Sequence, residues 1–402
     1  MKHIFKVFIF TTSLFCIHNS ASANFFDTIK SYFIRETPQR FEFPQLTGAY
    51  PVGINNYTFK DEKRNQTLQV SLWYPADGEK HGPITPSYAF KRTTKGLRLA
   101  YLKKLKPFPD LRVFDNIYTS AVPDAPISQE QEKYPLVIFS HGYGMEHVEY
   151  LAMCEELASH GYIVAGINHP DPSQQTKKSY SSFYKFLIEH ETQVWIDDVQ
   201  FVLFQLEQLN KNSVNDILYK KLDFTNVGIF GHSFGGSTAV HMCRTDDRFK
   251  AGIDLDGVLF GKDVARPFKK PFMIMLAEKT WKNWKEGIRE QEKKDFDEAF
   301  SQNLASDNFS EFCKQLGDKA HLVTIKQARH GDFSDVPFLQ NILAVQNLFS
   351  SKSEMRESLC IGDLEPYRIV SITNDYIVWF FDKYLKGKDR KFPEYSEVIV
   401  ER

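Results

Sequence analysis

The chain lacks an excess of either charge. Across 402 residues, 50 lysines and arginines face 51 aspartates and glutamates, so there is no general electrostatic reason for it to bind nucleic acid. It has no internal repeat and no low-complexity tract, which argues against a solenoid or a disordered tail. Its N-terminal apolar run, Val7 to Ile17, is short for a membrane span, which needs about 20 residues. Cysteine is scarce, at five residues, and no spacing among cysteines and histidines resembles a zinc site. The chemistry to look for therefore needs neither a metal nor any other cofactor.

What is present at the N-terminus is more telling. Lys2, His3 and Lys6 precede or enter the apolar run, and Ala21-Ser22-Ala23 follows it. These are the three parts of a secretory signal peptide, so residues 1–23 are expected to be removed after Ala23 and the protein exported, either secreted or periplasmic. Cys154, Cys243, Cys313 and Cys360 then remain. The first two fall on helical patterns and read as buried thiols. Cys313 and Cys360 lie in less regular segments and are the candidates for a bridge in an oxidising compartment. With 42% hydrophobic and 25% charged residues, residues 24–402 can form a single domain with a sizeable core.

One run carries a specific chemical message. Val227-Gly228-Ile229-Phe230-Gly231-His232-Ser233-Phe234-Gly235-Gly236 is an apolar strand pattern that breaks at G-x-S-x-G into a helical one, a nucleophile elbow. A serine hydroxyl attacks a carbonyl only when lifted clear of its neighbours and given a base. Gly231 and Gly235 let the turn close, and a helix N-terminus favours negative charge beside the hydroxyl.

Attack on a carbonyl makes an oxyanion, which needs backbone N–H donors. Phe234, after the serine, supplies one. The other candidate is Tyr143, in the glycine-rich turn Ser140-His141-Gly142-Tyr143-Gly144 that ends the buried-strand pattern from Tyr134. The base is expected late in the chain, in the order Ser, acid, His. His330, in the loop after the strand-like His321 to Lys326, occupies that position among twelve histidines. His141 reads as structural, and His169 and His232 as residues that shape the pocket. For the acid the residues leave a choice. Asp256 and Glu278 each close a strand-like run between Ser233 and His330, and alternation puts Asp254 on the same strand face as Asp256.

Strand patterns at Leu136–Phe139, Tyr162–Ile167, Asn226–Phe230, Ala251–Leu255, Phe272–Leu276 and Leu322–Ile325 alternate with helical stretches, two of which are Phe183–Leu209 and Tyr367–Leu385. The expected fold is α/β, with a mostly parallel central sheet flanked by helices on both faces. An antiparallel pair at Tyr57–Leu72 should precede it. Insertions at 78–127, 280–317 and 338–364 interrupt the pattern. The first interleaves Lys91, Arg92, Lys95, Arg98, Lys103, Lys104 and Lys106 with Leu97, Leu99, Leu102 and Leu105. It reads as a solvated surface helix or as a transient contact with an anionic membrane surface. The other two flank the base and are candidates for a lid or acyl-chain wall, or simply for packing.

Together, Tyr50-Pro51-Val52-Gly53, Leu72-Trp73-Tyr74-Pro75-Ala76, Phe139 to Gly144, Gly231 to Gly236, Leu255-Asp256 and the His330 loop resemble the secreted platelet-activating-factor acetylhydrolases and their bacterial relatives, which are α/β-hydrolases. The resemblance implies Ser233 as nucleophile, Asp256 as acid in preference to Glu278, His330 as base, and the amides of Tyr143 and Phe234 as the oxyanion hole. It departs at Val258, where an aromatic is expected, and at Gly331, after the histidine. These departures bear on the substrate. The implied activity is hydrolysis of an acyl ester of a phospholipid or another hydrophobic ester. A broad short-chain carboxylesterase, a polyester hydrolase, a lipid acyltransferase and a catalytically silent binding protein on the same fold are the alternatives. Nothing in the sequence speaks to the oligomeric state.

Overall fold

Strands that read as near-continuous apolar runs should be buried on both faces, and six parallel ones form the middle of the sheet. The computed structural model describes residues 41–78, 85–86, 117–170, 186–257, 269–286, 320–341 and 349–401. Residues Phe41–Arg402 form one compact unit. The expected signal peptide, the basic stretch around 91–106, Val258, Cys313, residues 287–317 and residues 342–348 lie outside the described residues.

The chain enters the main sheet through an antiparallel pair, β1 (Val52–Asp61) and β2 (Gln66–Pro75). The short edge strand β3 (Ala121–Pro123) follows, then β4 (Tyr134–Ser140) and β5 (Ile163–Asn168). The second half comprises β6 (Leu222–His232), β7 (Phe249–Leu255), β8 (Phe272–Ala277), β9 (Ala320–Ile325) and β10 (Val398–Glu401). The spatial order is β10-β9-β8-β7-β6-β4-β5-β2-β1-β3. β5, β4, β6, β7, β8 and β9 run parallel. β10 pairs antiparallel with β9 and was not expected from its short sequence. A small separate sheet joins Phe41–Glu42, Thr85–Pro86 and Ile117–Thr119.

Side-chain alternation sorts each central strand between two cores. Val137 and Phe139 of β4, Phe230 of β6 and Met273 and Met275 of β8 pack under α1 (Leu151–Ser159) and α5 (Pro366–Leu385). Leu136 and Ile138, Val227 and Ile229, and Ile274 and Leu276 face the opposite way. There they meet α2 (Thr192–Asn212) and α3 (Phe234–Thr245). α5 begins at an effective start signal: Pro366 opens it and the Glu365 side chain accepts from the Arg368 N–H, satisfying a donor that a helix start leaves unpaired. A turn of π-helix, Leu187–Glu191, leads into α2, so the helical stretch expected over Phe183–Leu209 is divided there. Cys154 and Cys243 are buried thiols on α1 and α3, and Cys360 is free and exposed.

All parallel strands point their carboxyl ends toward one edge. Ligands of open α/β sheets bind outside that edge, where strand order reverses. Here the reversal falls between β4 and β6, and the elbow and the glycine-rich turn leave the sheet side by side.

Candidate active site

β6 ends at His232, and Ser233 takes φ 57° and ψ −117° as the cap of α3. A serine is costly in such a conformation and is held there only when its surroundings over-determine it. They do so by close approach. A Cβ on Gly235 would lie 2.1 Å from the Ser140 carbonyl oxygen, and one on Gly231 would lie 2.2 Å from the Gly235 carbonyl oxygen. The Ser233 N–H donates to the Leu255 carbonyl (2.9 Å), and its own carbonyl accepts from the Gly236 N–H (3.0 Å). Phe234 opens α3, so its N–H points toward the Ser233 side of the helix end.

The neighbouring turn is held by side chains. The His141 ring is fully buried, which holds it well below its ordinary pKa and hence neutral. Its Nδ1–H donates to the Gly142 carbonyl (2.8 Å), and its Nε2 accepts from the His169 N–H (3.0 Å). The Met145 N–H also reaches the Gly142 carbonyl (3.0 Å). A peptide unit is planar and trans, so fixing the Gly142 oxygen fixes the Tyr143 N–H in the opposite direction. Behind this turn His169 Nδ1 donates to Asp198 Oδ2 (2.9 Å), while Asp198 Oδ1 accepts from Arg64 (2.6 Å) and Gln66 (3.0 Å). His169 Nε2 meets Ser140 Oγ at 2.9 Å, and Trp195 stacks on the imidazole at 3.9 Å. Asp198 has no solvent exposure, a burial tolerable for a carboxylate only when paired and hydrogen-bonded in this way.

Across the elbow, β7 ends at Leu255 and Asp256 turns out with φ 52°. Its carboxylate is 1% exposed and saturated: Oδ1 accepts from the Ala277 N–H (2.8 Å), and Oδ2 from Thr280 Oγ1 (3.0 Å) and His330 Nδ1 (2.7 Å). The His330 side chain remains 45% exposed. Glu278 opens α4 (Glu278–Glu286) and does a different job. It accepts from the Gln327 N–H (2.8 Å) and pairs with Lys282 (2.8 Å), which holds its carboxyl below the usual range. The end of β8 thus supplies donors to Asp256, and Glu278 ties that strand end to the His330 loop. Asp254 points behind the elbow, where its Oδ1 accepts from the Gly257 N–H (2.8 Å); burial, with Asp256 nearby, pushes its carboxyl well up.

The His330 loop is itself anchored at several points. Asp332 Oδ2 accepts from the N–H groups of Arg329 and Gly362, both at 2.8 Å, and burial raises its pKa to about 6. Gly331 stands after His330 because a Cβ there would fall 2.6 Å from the Leu359 carbonyl oxygen. Its N–H donates to the Cys360 carbonyl (2.8 Å). The Asp335 carboxylate accepts from the N–H groups of Leu151 (2.6 Å) and Ala152 (3.3 Å), so it caps α1, whose own preceding residue does not. The His232 ring, buried and neutral like His141, meets the His330 carbonyl oxygen through Nε2 (2.9 Å).

Sequence reasoning missed Tyr150, Asp198, Arg64 and Asp335. The partners that tie them to the site, His232 for Tyr150, His169 for Asp198, Asp198 for Arg64 and Leu151 for Asp335, lie far along the chain, so no local spacing marks them. The only available signal was the presence of an aspartate and a tyrosine in segments already suspected. Among the described residues no group of three or more His, Cys, Asp or Glu side chains is placed to hold a metal ion.

An α/β sheet with a strained serine at the switch point and an Asp–His pair beside it defines the serine hydrolase class of α/β proteins. The sequence matches the family described as "Platelet-activating factor acetylhydrolase, isoform II" over residues 36–214 and 203–395, and the chain belongs to that family. It is thereby a carboxylic ester hydrolase of the serine type. The platelet-activating factor acetylhydrolase of Canis lupus familiaris is 24% identical over 95% of this chain and 85% of its own length. The Bos taurus protein of the same name is 25% identical over 89% and 80%. A probable 1-alkyl-2-acetylglycerophosphocholine esterase of Arthroderma benhamiae is 25% identical over 65% of each chain. Among solved structures, a ferulic acid esterase from Streptomyces cinnamoneus superposes with a TM-score of 0.68 at 24% identity, over 90% of this chain and 100% of that one, which speaks to the fold.

Proposed function

We propose that this protein is an exported hydrolase that cleaves an acyl ester of a phospholipid, or a similarly hydrophobic ester, through an acyl-Ser233 intermediate. The observation that carries the reading is the 2.7 Å bond between His330 Nδ1 and Asp256 Oδ2, on a loop that the neighbour of Ser233 also holds. Asp256 accepts the imidazole N–H, which fixes the tautomer with Nε2 bare and stabilises the imidazolium that forms. Nε2 takes the Ser233 proton as Oγ attacks the ester carbonyl, and the N–H groups of Tyr143 and Phe234 receive the oxyanion. The leaving alcohol departs with that proton. Water, deprotonated in turn by His330, then attacks the acyl-serine, and the acid is released as Oγ recovers its proton.

A fluorophosphonate probe should label the native protein on Ser233, and Ser233→Ala should remove both labelling and turnover. Activity in that variant within tenfold of the native protein would end the serine mechanism. The lipid reading is supported by the activity named for the fungal relative, hydrolysis of a 1-alkyl-2-acetylglycerophosphocholine. It is tested by comparing an sn-2 acetyl phospholipid with p-nitrophenyl esters. Export is supported by the N-terminal residue pattern, and an N-terminus at Asn24 in protein made with its leader is the expected result. Contact of the 91–106 stretch with anionic lipid completes the proposal. Charge reversal at Lys103, Lys104 and Lys106 should then lower hydrolysis of anionic vesicles, more at low salt than at high.

A further inference from the structure

Two loops must meet one substrate carbonyl from opposite sides, and the sheet spaces the strand ends they leave but not the loops beyond those ends. The glycine-rich turn follows β4, while the His330 loop follows β9, four strands away in the sheet. Tyr150 stands between them, at the start of α1. Its hydroxyl oxygen lies 3.1 Å from the Gly142 nitrogen and 2.8 Å from His232 Nδ1, and His232 Nε2 lies 2.9 Å from the His330 carbonyl oxygen.

The direction of this chain follows from its ends. A carbonyl oxygen only accepts, so His232 Nε2 carries a hydrogen. The ring is neutral, so Nδ1 is bare and accepts the hydrogen of the Tyr150 hydroxyl. The hydroxyl oxygen keeps its lone pairs for the Gly142 N–H. Met145 Sδ, 2.9 Å from the same oxygen, is a second and weaker acceptor. The result is a head-to-tail series, Gly142 N–H to Tyr150 O–H to His232 to the His330 carbonyl, in which each bond polarises the next. It runs through the apolar core, with Tyr150 fully buried and His232 1% exposed, and the Phe139 ring 4.7 Å from that of Tyr150. A phenylalanine would fill the same space. The hydroxyl therefore adds a link rather than packing.

We propose that Tyr150 is a positioning residue whose hydroxyl, through His232, sets the oxyanion turn and the base loop in register with each other. Gly142 is then held through both of its peptide units, the N–H of one by Tyr150 and the carbonyl of the next by His141 and Met145, and the second unit carries the Tyr143 N–H, which so has one direction. The same hydroxyl governs where His330 stands. Misplacement of reacting groups by about 1 Å can cost about a hundredfold in rate. The inference rests on the assignment of Ser233, His330 and Tyr143 made above.

The test begins with the full-length native protein and a fluorophosphonate. A native protein that does not label on Ser233 removes the underlying assignment. Given labelling, Tyr150→Phe should lower kcat on p-nitrophenyl acetate by about 10- to 100-fold with KM within about twofold, and slow phosphonylation in parallel. His232→Leu cuts the same series at its next link and should give a comparable loss. His232→Gln offers one acceptor and one donor at nearly the spacing of the imidazole nitrogens and should recover most of it. The double variant Tyr150→Phe/His232→Leu should be no slower than the slower single one, since one bridge can be broken only once. A kcat within about twofold of native in folded Tyr150→Phe would overturn the inference, as would losses that multiply in the double variant. If Tyr150→Phe does not fold, the His232 pair decides alone: equal kcat for Leu and Gln overturns it, and recovery by Gln supports it.

Discussion

The elbow after β6 and the loops after β7, β8 and β9 build their parts of the site by different means. On the elbow side the geometry is held by backbone lying so close to backbone that a single methyl group has nowhere to go, as at Gly235 against Ser140. On the base side it is held by side chains reaching across strand ends: Asp256 to Ala277, Thr280 and His330, Glu278 to Gln327, and Asp335 to α1. The first arrangement is rigid by exclusion and intolerant of added volume. The second is a network of directional bonds, each removable at a graded cost. It suits the role proposed for His330, an imidazole that exchanges protons while its surroundings stay fixed.

This contrast can be broken most severely at the base. His330→Ala should lower kcat by about three orders of magnitude or more while leaving the thermal unfolding midpoint nearly unchanged, because a half-exposed side chain is removed. Retention of native labelling rates would assign the base elsewhere. Asp256→Asn should cost about a hundredfold or more in kcat, and Glu278→Gln at least about tenfold less, because only the former touches the imidazole. The reverse order would exchange the two carboxylates.

The elbow side should respond in stability. Gly235→Ala drives a methyl into the Ser140 carbonyl and is expected to cost about 3 kcal/mol or more, read as a fall in the denaturant midpoint. A loss below about 1 kcal/mol would mean that β4 and α3 can separate more easily than their contact implies.

The smallest effect sharpens the base side alone. Asp332 has its folded pKa raised from 3.8 to about 6 by burial. Its folded form therefore binds a proton more tightly than the unfolded chain does. The associated stability is fully present below about pH 4 and is lost as pH rises through about 6, on the order of 2–3 kcal/mol. Asp332→Asn cannot ionise, so native stability minus variant stability should fall across that window. A difference independent of pH would show that folding leaves the affinity of this carboxyl for its proton unchanged.

Much of this molecule was legible in residue order because the signals were local. The strand patterns at Leu136–Phe139 and Phe272–Leu276 fall inside β4 and β8, since a strand buried on both faces can be nothing but apolar. G-x-S-x-G could be read as a turn because the close approach of strand and helix excludes side chains at its two glycines. β10 was missed for the opposite reason. Its four half-exposed residues carry little apolar signal, and its pairing with β9 is set 70 or so residues away by chain closure. Gly331, first seen as a departure from the family pattern, has a local steric cause in the Leu359 carbonyl.

Residue order alone specified an α/β sheet, the serine at its elbow, and a short set of carboxylates and histidines from which the site had to be drawn. It held Asp254, Asp256 and Glu278 as equals until a family resemblance favoured one. What each carboxylate touches follows from the packing of distant strand ends. Asp256 meets His330 because β7 ends where it can turn out at positive φ between β8 and the loop after β9, and Glu278 is left to hold that loop's backbone. Likewise Tyr150, Asp198 and Asp335 acquire partners from strands and loops far along the chain. Periodicity reports which face a residue occupies. The side-by-side register of parallel strands, set by the whole core, decides which carboxyl end stands beside which.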